Sequence, residues 1–170
     1  MKFNRLIKSI ILLVLSSLLL LTTSSCKETQ KNEFKPIAVT FKKEGELSLY
    51  KGETDSLIAK FDIEIADNDY ERQRGLMDRR SMKENHAMLF IFPNMQLRSF
   101  YMKNTYISLD IIYLDDEQHI VSIQKNAKPL DESSLPSTGP AKYVLEINGG
   151  LSDRLTIKAG DKMQFTELVN

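Results

Sequence analysis

Short segments with the apolar pattern of β-strands recur from residue 37 to residue 165, and this recurrence constrains the fold more than any other feature. Leu57–Ala66 alternates apolar and charged residues, which predicts a strand with one face in the core. Met88–Phe92 is continuously apolar, as expected for a strand buried on both faces. The other predicted strands are Ile37–Lys42, Leu47–Tyr50, Ile107–Leu114, Ile120–Ile123, Tyr143–Ile147 and Met163–Phe165.

Helix signals occur in only two places. Asn68 can accept a backbone N–H at the start of a helix, and Gly75 can end that helix in a left-handed conformation. A second helical turn is predicted around Leu151–Arg154, after two glycines. The sequence therefore predicts a mainly β, single-domain antiparallel β-sandwich or small barrel with one or two short helices over residues 37–170.

The N-terminal 26 residues have the pattern of an export and lipidation signal. A basic start precedes a twelve-residue apolar core, Ile10–Leu21, interrupted only by two serines. This length is typical of a signal peptide and is short for a spanning helix, which needs about 20 apolar residues. Small residues then lead to Cys26, as in the lipobox of bacterial lipoproteins, which this pattern resembles. We therefore expect residues 1–25 to be a signal peptide.

Cys26 is expected to carry the lipid, and residues 26–36 to form a polar tether. Two or more acyl chains such as palmitate would hold the protein on a membrane, because each buried methylene contributes about 0.8 kcal/mol. The expected location is the bacterial cell envelope, facing the periplasm or the cell surface. Cys26 is the only cysteine. The domain therefore cannot contain an internal disulfide and depends on its core for stability.

The charge balance after Cys26 disfavours a nucleic-acid partner. Three of the 23 basic residues and none of the 23 acidic residues precede Cys26, so the mature chain carries about three net negative charges. Nucleic-acid binding requires basic clusters that neutralise phosphates, and no such tract follows. The expected partners are membrane lipid, through the acylated Cys26, and an unidentified small ligand or envelope protein.

A series of short motifs runs through the segment from Phe61 to Phe165. They are Arg74-Gly75-Leu76-Met77 with Arg79, Met88-Leu89-Phe90, Phe100, Met102-Lys103-Asn104-Thr105, Leu109-Asp110-Ile111-Ile112, Asn126, Tyr143-Val144-Leu145-Glu146, Gly149 and Gly160-Asp161. In this order they resemble the family called domain of unknown function 192. Tyr101, Ala87 and Ser108 replace a usual Trp, Gly and Pro. The resemblance implies a compact, mainly β domain that is often exported, and it implies no agreed activity.

The polar block Lys103-Asn104-Thr105 lies between two apolar strands and could form a pocket wall. It would offer an ammonium, an amide and a hydroxyl group, and with Arg74 it makes up the predicted ligand-binding residues. The alternative is structural. Asn104 and Thr105 would then hydrogen-bond their own turn, while Asp110 would form an ion pair with Lys103 or Arg74.

Glu146 interrupts the apolar strand Tyr143–Ile147 and shares a face with Val144 by alternation. If that face is in the core, Glu146 needs a cation, for which Lys103, Arg74 and Arg79 are candidates. Asp110 and Glu146 are also the candidate catalytic residues. As an acid and base they would make the protein a hydrolase-like envelope enzyme, with Lys103 binding an anionic group.

No motif points to a cofactor or a metal. The two histidines lack Cys or His partners at zinc-binding spacing. The methionines after Cys26 are widely spaced, which favours core packing over a Cu(I) site. The loop Pro129–Pro140 is long enough to form a flap over a site. The sequence thus favours a non-catalytic binding module and leaves the hydrolase-like enzyme as the alternative.

Overall fold

A computed structural model describes residues 39–169, which form a seven-stranded sheet, a two-stranded ribbon and two short helices. The strands are β1 Gly45–Tyr50, β2 Leu57–Ala66, β3 His86–Gln96, β4 Ser99–Phe100, β5 Leu109–Leu114, β6 Ile120–Ala127, β7 Leu135–Pro136, β8 Ala141–Asn148 and β9 Lys162–Glu167. The helices are α1 Asp69–Arg74 and α2 Leu151–Arg154. The prediction of a mainly β fold with one or two short helices is confirmed. The predicted signal peptide, Cys26 and the tether lie outside the described residues.

The large sheet has the order β6-β5-β8-β3-β2-β1-β9 and is mixed. All neighbouring strands are antiparallel except β2 and β3, which are parallel. The parallel pair departs from the antiparallel arrangement predicted above, because the segment 67–85, which contains α1, returns the chain to the end where β2 began. The edge strands meet only at a bridge between His119 and Lys162, so the sheet stays unclosed.

Apolar side chains cover both faces of the central strands, and every residue of β5 is buried. The first core is on one face and includes Leu47, Leu49, Phe61, Ile63, Leu89, Ile112, Leu114, Leu145, Ile147 and Met163. The second core is on the other face and includes Ala66, Leu76, Met88, Phe90, Met102, Leu109, Ile111, Tyr113 and Val144. Burial of each large apolar side chain stabilises the fold by about 1.5–3 kcal/mol, so the two cores carry its stability.

The strand predicted at Ile37–Lys42 is wrong for residues 39–42, which have no strand conformation, and residues 37 and 38 are outside the described range. Here the backbone bonds to a side chain instead of a neighbouring strand, since Lys42 N donates to Glu64 Oε1 at 3.0 Å. Phe41 stacks on His86 with ring centroids 3.6 Å apart. The segment is thus attached to the sheet without extending it.

The loop that was predicted to form a flap is held against the second core. Its residues Leu135–Pro136 are strand β7 and pair with Ser99–Phe100. The Tyr113 hydroxyl donates to the Leu135 carbonyl, which ties this loop to the central strand β5. The β4–β7 ribbon therefore covers the second core and forms one side of the space described next. Within residues 39–169, no helix is long and apolar enough to cross a membrane.

Candidate functional site

Glu146 lies in the middle of β8, with Ile111 of β5 and Met88 of β3 as its cross-strand neighbours. It shares the face of the second core, and only 5% of the residue is exposed. Within the described residues, its carboxyl group has neither a hydrogen-bond partner nor an ion-pair partner. Burial alone raises the pKa of Glu146 from 4.5 to about 8, because an apolar environment disfavours the charged form.

The Glu146 carboxyl lies at the buried end of a cavity of about 250 Å³. Phe90, Phe92 and Phe100 form aromatic walls. Phe100 contacts Phe90 edge-to-face with centroids 5.1 Å apart, and it meets Phe92 in a similar way at 6.4 Å. Such aromatic contacts fix the ring positions, so the cavity is a preformed feature of the fold.

Two arginines of α1 line the cavity, and only one of them is free to contact a ligand. The Arg72 guanidinium donates to the Ile91 carbonyl at 2.8 Å and to Asp69 Oδ1 at 2.7 Å, and its side chain is 15% exposed. The Arg74 side chain is 44% exposed, and its ion-pair partner is Asp78 at 3.6 Å. Arg74 therefore places an available positive charge at the open end of the cavity.

The end of α1 forms part of the cavity wall because of Gly75. Asn68 caps the helix by accepting from Glu71 N at 3.0 Å, as predicted. Gly75 follows with a φ of 47°, and its N–H donates to the Glu71 carbonyl at 2.8 Å. A Cβ atom at this position would lie 3.1 Å from Phe90 Cζ. A glycine is thus needed both for the left-handed turn and for the close approach to the ring.

The block Lys103-Asn104-Thr105 forms a turn at the cavity wall. Thr105 is buried and lines the cavity. Asn104 is exposed with a φ of 53°, and its carbonyl accepts from Asp78 N at 2.8 Å. Lys103 is exposed and lies with Arg74 on a shallow depression beside the cavity. Of the four predicted ligand-binding residues, Arg74 and Thr105 line the cavity, Lys103 lies next to it, and Asn104 shapes the turn.

Asp110 is fully buried and organises backbone rather than a ligand. Its carboxylate accepts from Asn126 N at 2.7 Å, Gly150 N at 3.0 Å and Ser152 N at 2.7 Å. These bonds attach strand β6 and the start of α2 to strand β5. Three backbone donors satisfy a buried carboxylate, and each bond to a charged group contributes about 1.5–3 kcal/mol. Asp110 is therefore a folding determinant.

The predicted acid–base pair of Asp110 and Glu146 is not formed. Asp110 is opposite Ile147 in the register of β5 and β8, whereas Glu146 is opposite Ile111. Because side chains alternate along a strand, the two carboxyl groups lie on opposite faces of the sheet. The predicted ion pair of Asp110 with Lys103 or Arg74 is also absent from the described residues.

Arg79, one candidate partner of Glu146, pairs with Glu64 instead. Arg79 Nη2 lies 2.5 Å from Glu64 Oε2, and both side chains are buried. Glu64 is opposite Met88, the residue that is also opposite Glu146. Sequence reasoning missed this pair, because the alternation of β2 placed Glu64 on a face that was read as solvent-exposed. The sequence did not show that β2 lies inside the sheet, between β3 and β1.

Potential metal ligands do not gather at the cavity. Among residues 39–169, no three His, Cys, Asp or Glu side chains form a group that could hold a metal ion. Met88 and Met102 belong to the second core and Met163 to the first, while Met95 is largely exposed. The methionines are therefore spread through the fold, as core packing requires.

Residues 51–165 match the model of the DUF192 family, which is described as "Uncharacterized ACR". The chain belongs to the DUF192 family. Among its motif residues, those that hold the fold include Asp110 and Asn126. A second group lines the cavity and consists of Arg74, Gly75, Leu76, Met77, Phe90, Phe100, Thr105 and Glu146. Eight of the motif residues by which the chain resembles DUF192 proteins thus meet at this cavity.

The chain is also similar to archaeal proteins named UPF0127. It is 33% identical to one from Thermococcus sibiricus over 108 residues, which cover 61% of this chain and 65% of that protein. It is 34% identical to one from Pyrococcus abyssi over 108 residues, which cover 61% of this chain and 85% of that protein. The chain therefore spans just under two thirds of the length of the Thermococcus relative.

Two crystal structures have a similar fold. A protein of unknown function from Novosphingobium aromaticivorans aligns with a TM-score of 0.66 and 38% identity, over 70% of this chain and 83% of that one. A protein from Sinorhizobium meliloti, provisionally described as a transcription regulator, aligns with a TM-score of 0.69 and 32% identity, over 75% of this chain and 96% of that one. Both likenesses support a compact single-domain fold for this chain.

Proposed function

We propose that this DUF192 domain binds a small organic molecule in the cavity above Glu146 and does not transform it. The observation that carries the proposal is a buried carboxyl group that opens to an aromatic cavity and has no partner among the described residues. A carboxyl group that is bonded to no protein group keeps its hydrogen-bonding capacity for a molecule that enters the cavity. A ligand with a polar group can therefore bond to Glu146.

The size of the cavity limits the ligand. Drug-sized molecules occupy pockets of about 300–1,000 Å³, whereas an engineered apolar cavity of about 150 Å³ holds benzene. The present cavity, at about 250 Å³, lies between these values. It therefore suits a molecule the size of a small metabolite, with an apolar part against the phenylalanines and a polar group at Glu146.

Binding is favoured over hydrolysis because the cavity lining contains a single carboxyl group. Two-carboxylate hydrolysis needs a second acid about 5–10 Å away on the same substrate. Asp110 does not supply it, because its carboxylate is on the other face of the sheet and bonded to three backbone N–H groups. Glu64 does not supply it either, since it is paired with Arg79.

A screen of small fragments against the full chain in a non-ionic detergent tests this function, with protein NMR shifts as the readout. The matched variants are Ser99→Trp, which places a large ring at an exposed position of the lining, and Ser133→Trp, at an exposed position outside it. Fragments that bind the wild type should fail to bind Ser99→Trp and should still bind Ser133→Trp. Cavity binding would be contradicted if no fragment binds, or if the fragments bind Ser99→Trp as well as they bind the wild type.

The proposal includes the location of this binding. A lipid on Cys26 would hold the domain at a membrane surface of the bacterial envelope, and the export pattern before Cys26 supports this. Cys26→Ala should abolish labelling of the protein by palmitate in a bacterial host. Labelling that survives this substitution would contradict a lipid anchor at Cys26.

A further inference from the structure

The cavity lining combines an acidic group, Glu146, with a basic group, Arg74. Glu146 lies at the buried end, and Arg74 lies at the open end beside the depression that contains Lys103. Arg74 is only loosely paired with Asp78, at 3.6 Å. An occupant that spans the cavity therefore meets a carboxyl group at one end and a guanidinium group at the other.

Within the described residues, no protein cation forms an ion pair with Glu146. From β5, Tyr113 faces this region as a neutral phenol, and its hydroxyl is used by the Leu135 carbonyl. From β3, the facing residue is the apolar Met88. Arg72 is held by carbonyl oxygens and by Asp69. A cationic group that pairs with Glu146 would therefore have to come from the occupant.

The other charged pair on this face consists of Glu64 and Arg79, and its buried Arg79 Nε has no hydrogen-bond partner among the described residues. Beyond Met88, Glu64 on β2 is neutralised by Arg79 at 2.5 Å, so this pair neither attracts nor repels an ion at Glu146 strongly. Among the described residues, Glu146 is the one acidic group in the lining of the cavity. An ammonium group there would restore the hydrogen bonds that this carboxyl lacks.

The walls of the cavity also favour a cation. Phenylalanine rings attract cations through the negative potential of their faces, at about 0.5–2 kcal/mol for each contact. This chain already uses one of them in this way, because the Arg98 guanidinium lies 3.9 Å from the centroid of the Phe92 ring. Phe90 and Phe100 also line the cavity together with Glu146.

We infer that the occupant is a small zwitterion, whose ammonium group donates to the Glu146 carboxylate and whose anionic group meets Arg74 at the mouth. This inference rests on the proposed binding function and adds the chemical class of the ligand. In the empty cavity Glu146 holds a proton at neutral pH. When the ammonium group enters, that proton leaves to solvent, and the carboxyl group becomes a carboxylate paired with the ligand.

Four probes of equal chain length test the inference by calorimetry on the full chain in a non-ionic detergent: 5-aminopentanoate, pentylamine, pentanol and pentanoate. The expected order of affinity is 5-aminopentanoate, then pentylamine, with pentanol and pentanoate weaker. Glu146→Gln should reduce the affinity for both amines by at least tenfold. Arg74→Gln should reduce the affinity for 5-aminopentanoate to that for pentylamine. Arg80→Gln is the matched control, since Arg80 is exposed and outside the lining.

The contrary outcomes separate this inference from the proposed function. Two results would contradict a zwitterionic ligand without contradicting ligand binding in the cavity. In the first, pentanol or pentanoate binds as tightly as pentylamine. In the second, Glu146→Gln leaves the affinity for the amines unchanged. The same holds if neither amine binds but other fragments are displaced by Ser99→Trp. If no probe and no fragment binds, both proposals fail.

Discussion

Asp110 and Glu146 lie on neighbouring strands of one sheet, and their carboxyl groups lie on its opposite faces. Asp110 accepts hydrogen bonds from three backbone N–H groups, whereas Glu146 accepts none within the described residues. Hydrogen bonds stabilise a charged carboxylate, and desolvation destabilises it. The same chemical group therefore fixes the fold on one face and remains available for a ligand on the other.

Replacing Glu146 by Gln should stabilise the empty protein at alkaline pH. The pKa of Glu146 is about 8 in the folded protein, above its ordinary 4.5, so the folded state holds the proton more tightly than the unfolded chain does. Its contribution to stability is fully present below pH 4.5 and is lost as the pH rises to about 8. At pH 9, the free energy of unfolding of Glu146→Gln in urea should exceed that of the wild type by on the order of 5 kcal/mol. Near pH 5 the two should be similar, and Glu132→Gln, at an exposed position, should match the wild type throughout.

The affinity for pentylamine should rise with pH, whereas the stability of the empty wild-type protein should fall. Below about pH 8 the Glu146 carboxyl must lose its proton before the ammonium group can pair with it, because its pKa is raised to about 8. The affinity should therefore rise about tenfold for each pH unit between pH 6 and pH 8, and then level off. Calorimetry in buffers of different ionisation enthalpy should show release of nearly one proton at pH 6.5. A flat profile would contradict the coupling.

Replacing Asp110 by Ala should destabilise the fold by about 3 kcal/mol or more, because three buried backbone N–H groups lose their acceptor. Hydrogen exchange should accelerate most at the Ser152 and Gly150 amides. Asp116→Ala, in the exposed turn between β5 and β6, is the control and should change stability by less than about 0.5 kcal/mol. Normal stability of Asp110→Ala would show that its role as a folding determinant is wrong.

Replacing Gly75 by Ala should cost about 2–3 kcal/mol and weaken ligand binding. The new Cβ is disfavoured by the φ of 47° and would press on Phe90 at 3.1 Å. Gly160→Ala separates the backbone strain from the contact with Phe90. Gly160 has a φ of 87°, but a Cβ atom there would have open space around it. Both variants should lose stability, but only Gly75→Ala should lose affinity. Equal affinity in the two variants would argue against a cavity wall at Phe90.

Local patterns predicted the elements of this fold well. The bounds of β2 and α2 and the cap at Asn68 agree with the sequence interpretation, because alternation and capping depend only on nearby residues. The parallel pairing of β2 with β3 was not predicted, since it depends on how the segment 67–85 crosses the sheet. The segment 39–42 looked like a strand, yet its backbone bonds to the Glu64 side chain.

The cavity was predicted only in fragments. Arg74, Thr105 and Glu146 were each singled out, but strand register alone shows that Glu146 faces away from Asp110. The walls escaped prediction because Phe90, Phe92 and Phe100 have the pattern of ordinary core residues, and their arrangement around a space comes from three separate chain segments. Long-range packing decides which side chains surround a cavity. The alternation of apolar and polar residues along a strand does not predict it.

The contact between the two edge strands has a consequence for self-association. Near the bridge between His119 and Lys162, Ile120 N donates to the Asp161 carbonyl at 2.7 Å, and Met163 N donates to the Gln118 carbonyl at 3.0 Å. An exposed sheet edge offers such groups to a strand from another molecule, which is a route to aggregation. Here each edge occupies part of the other at this bridge, so a second copy cannot pair with that part of either edge unless the bridge opens. The domain can therefore be crowded at high local concentration with less risk of joining its neighbours edge to edge.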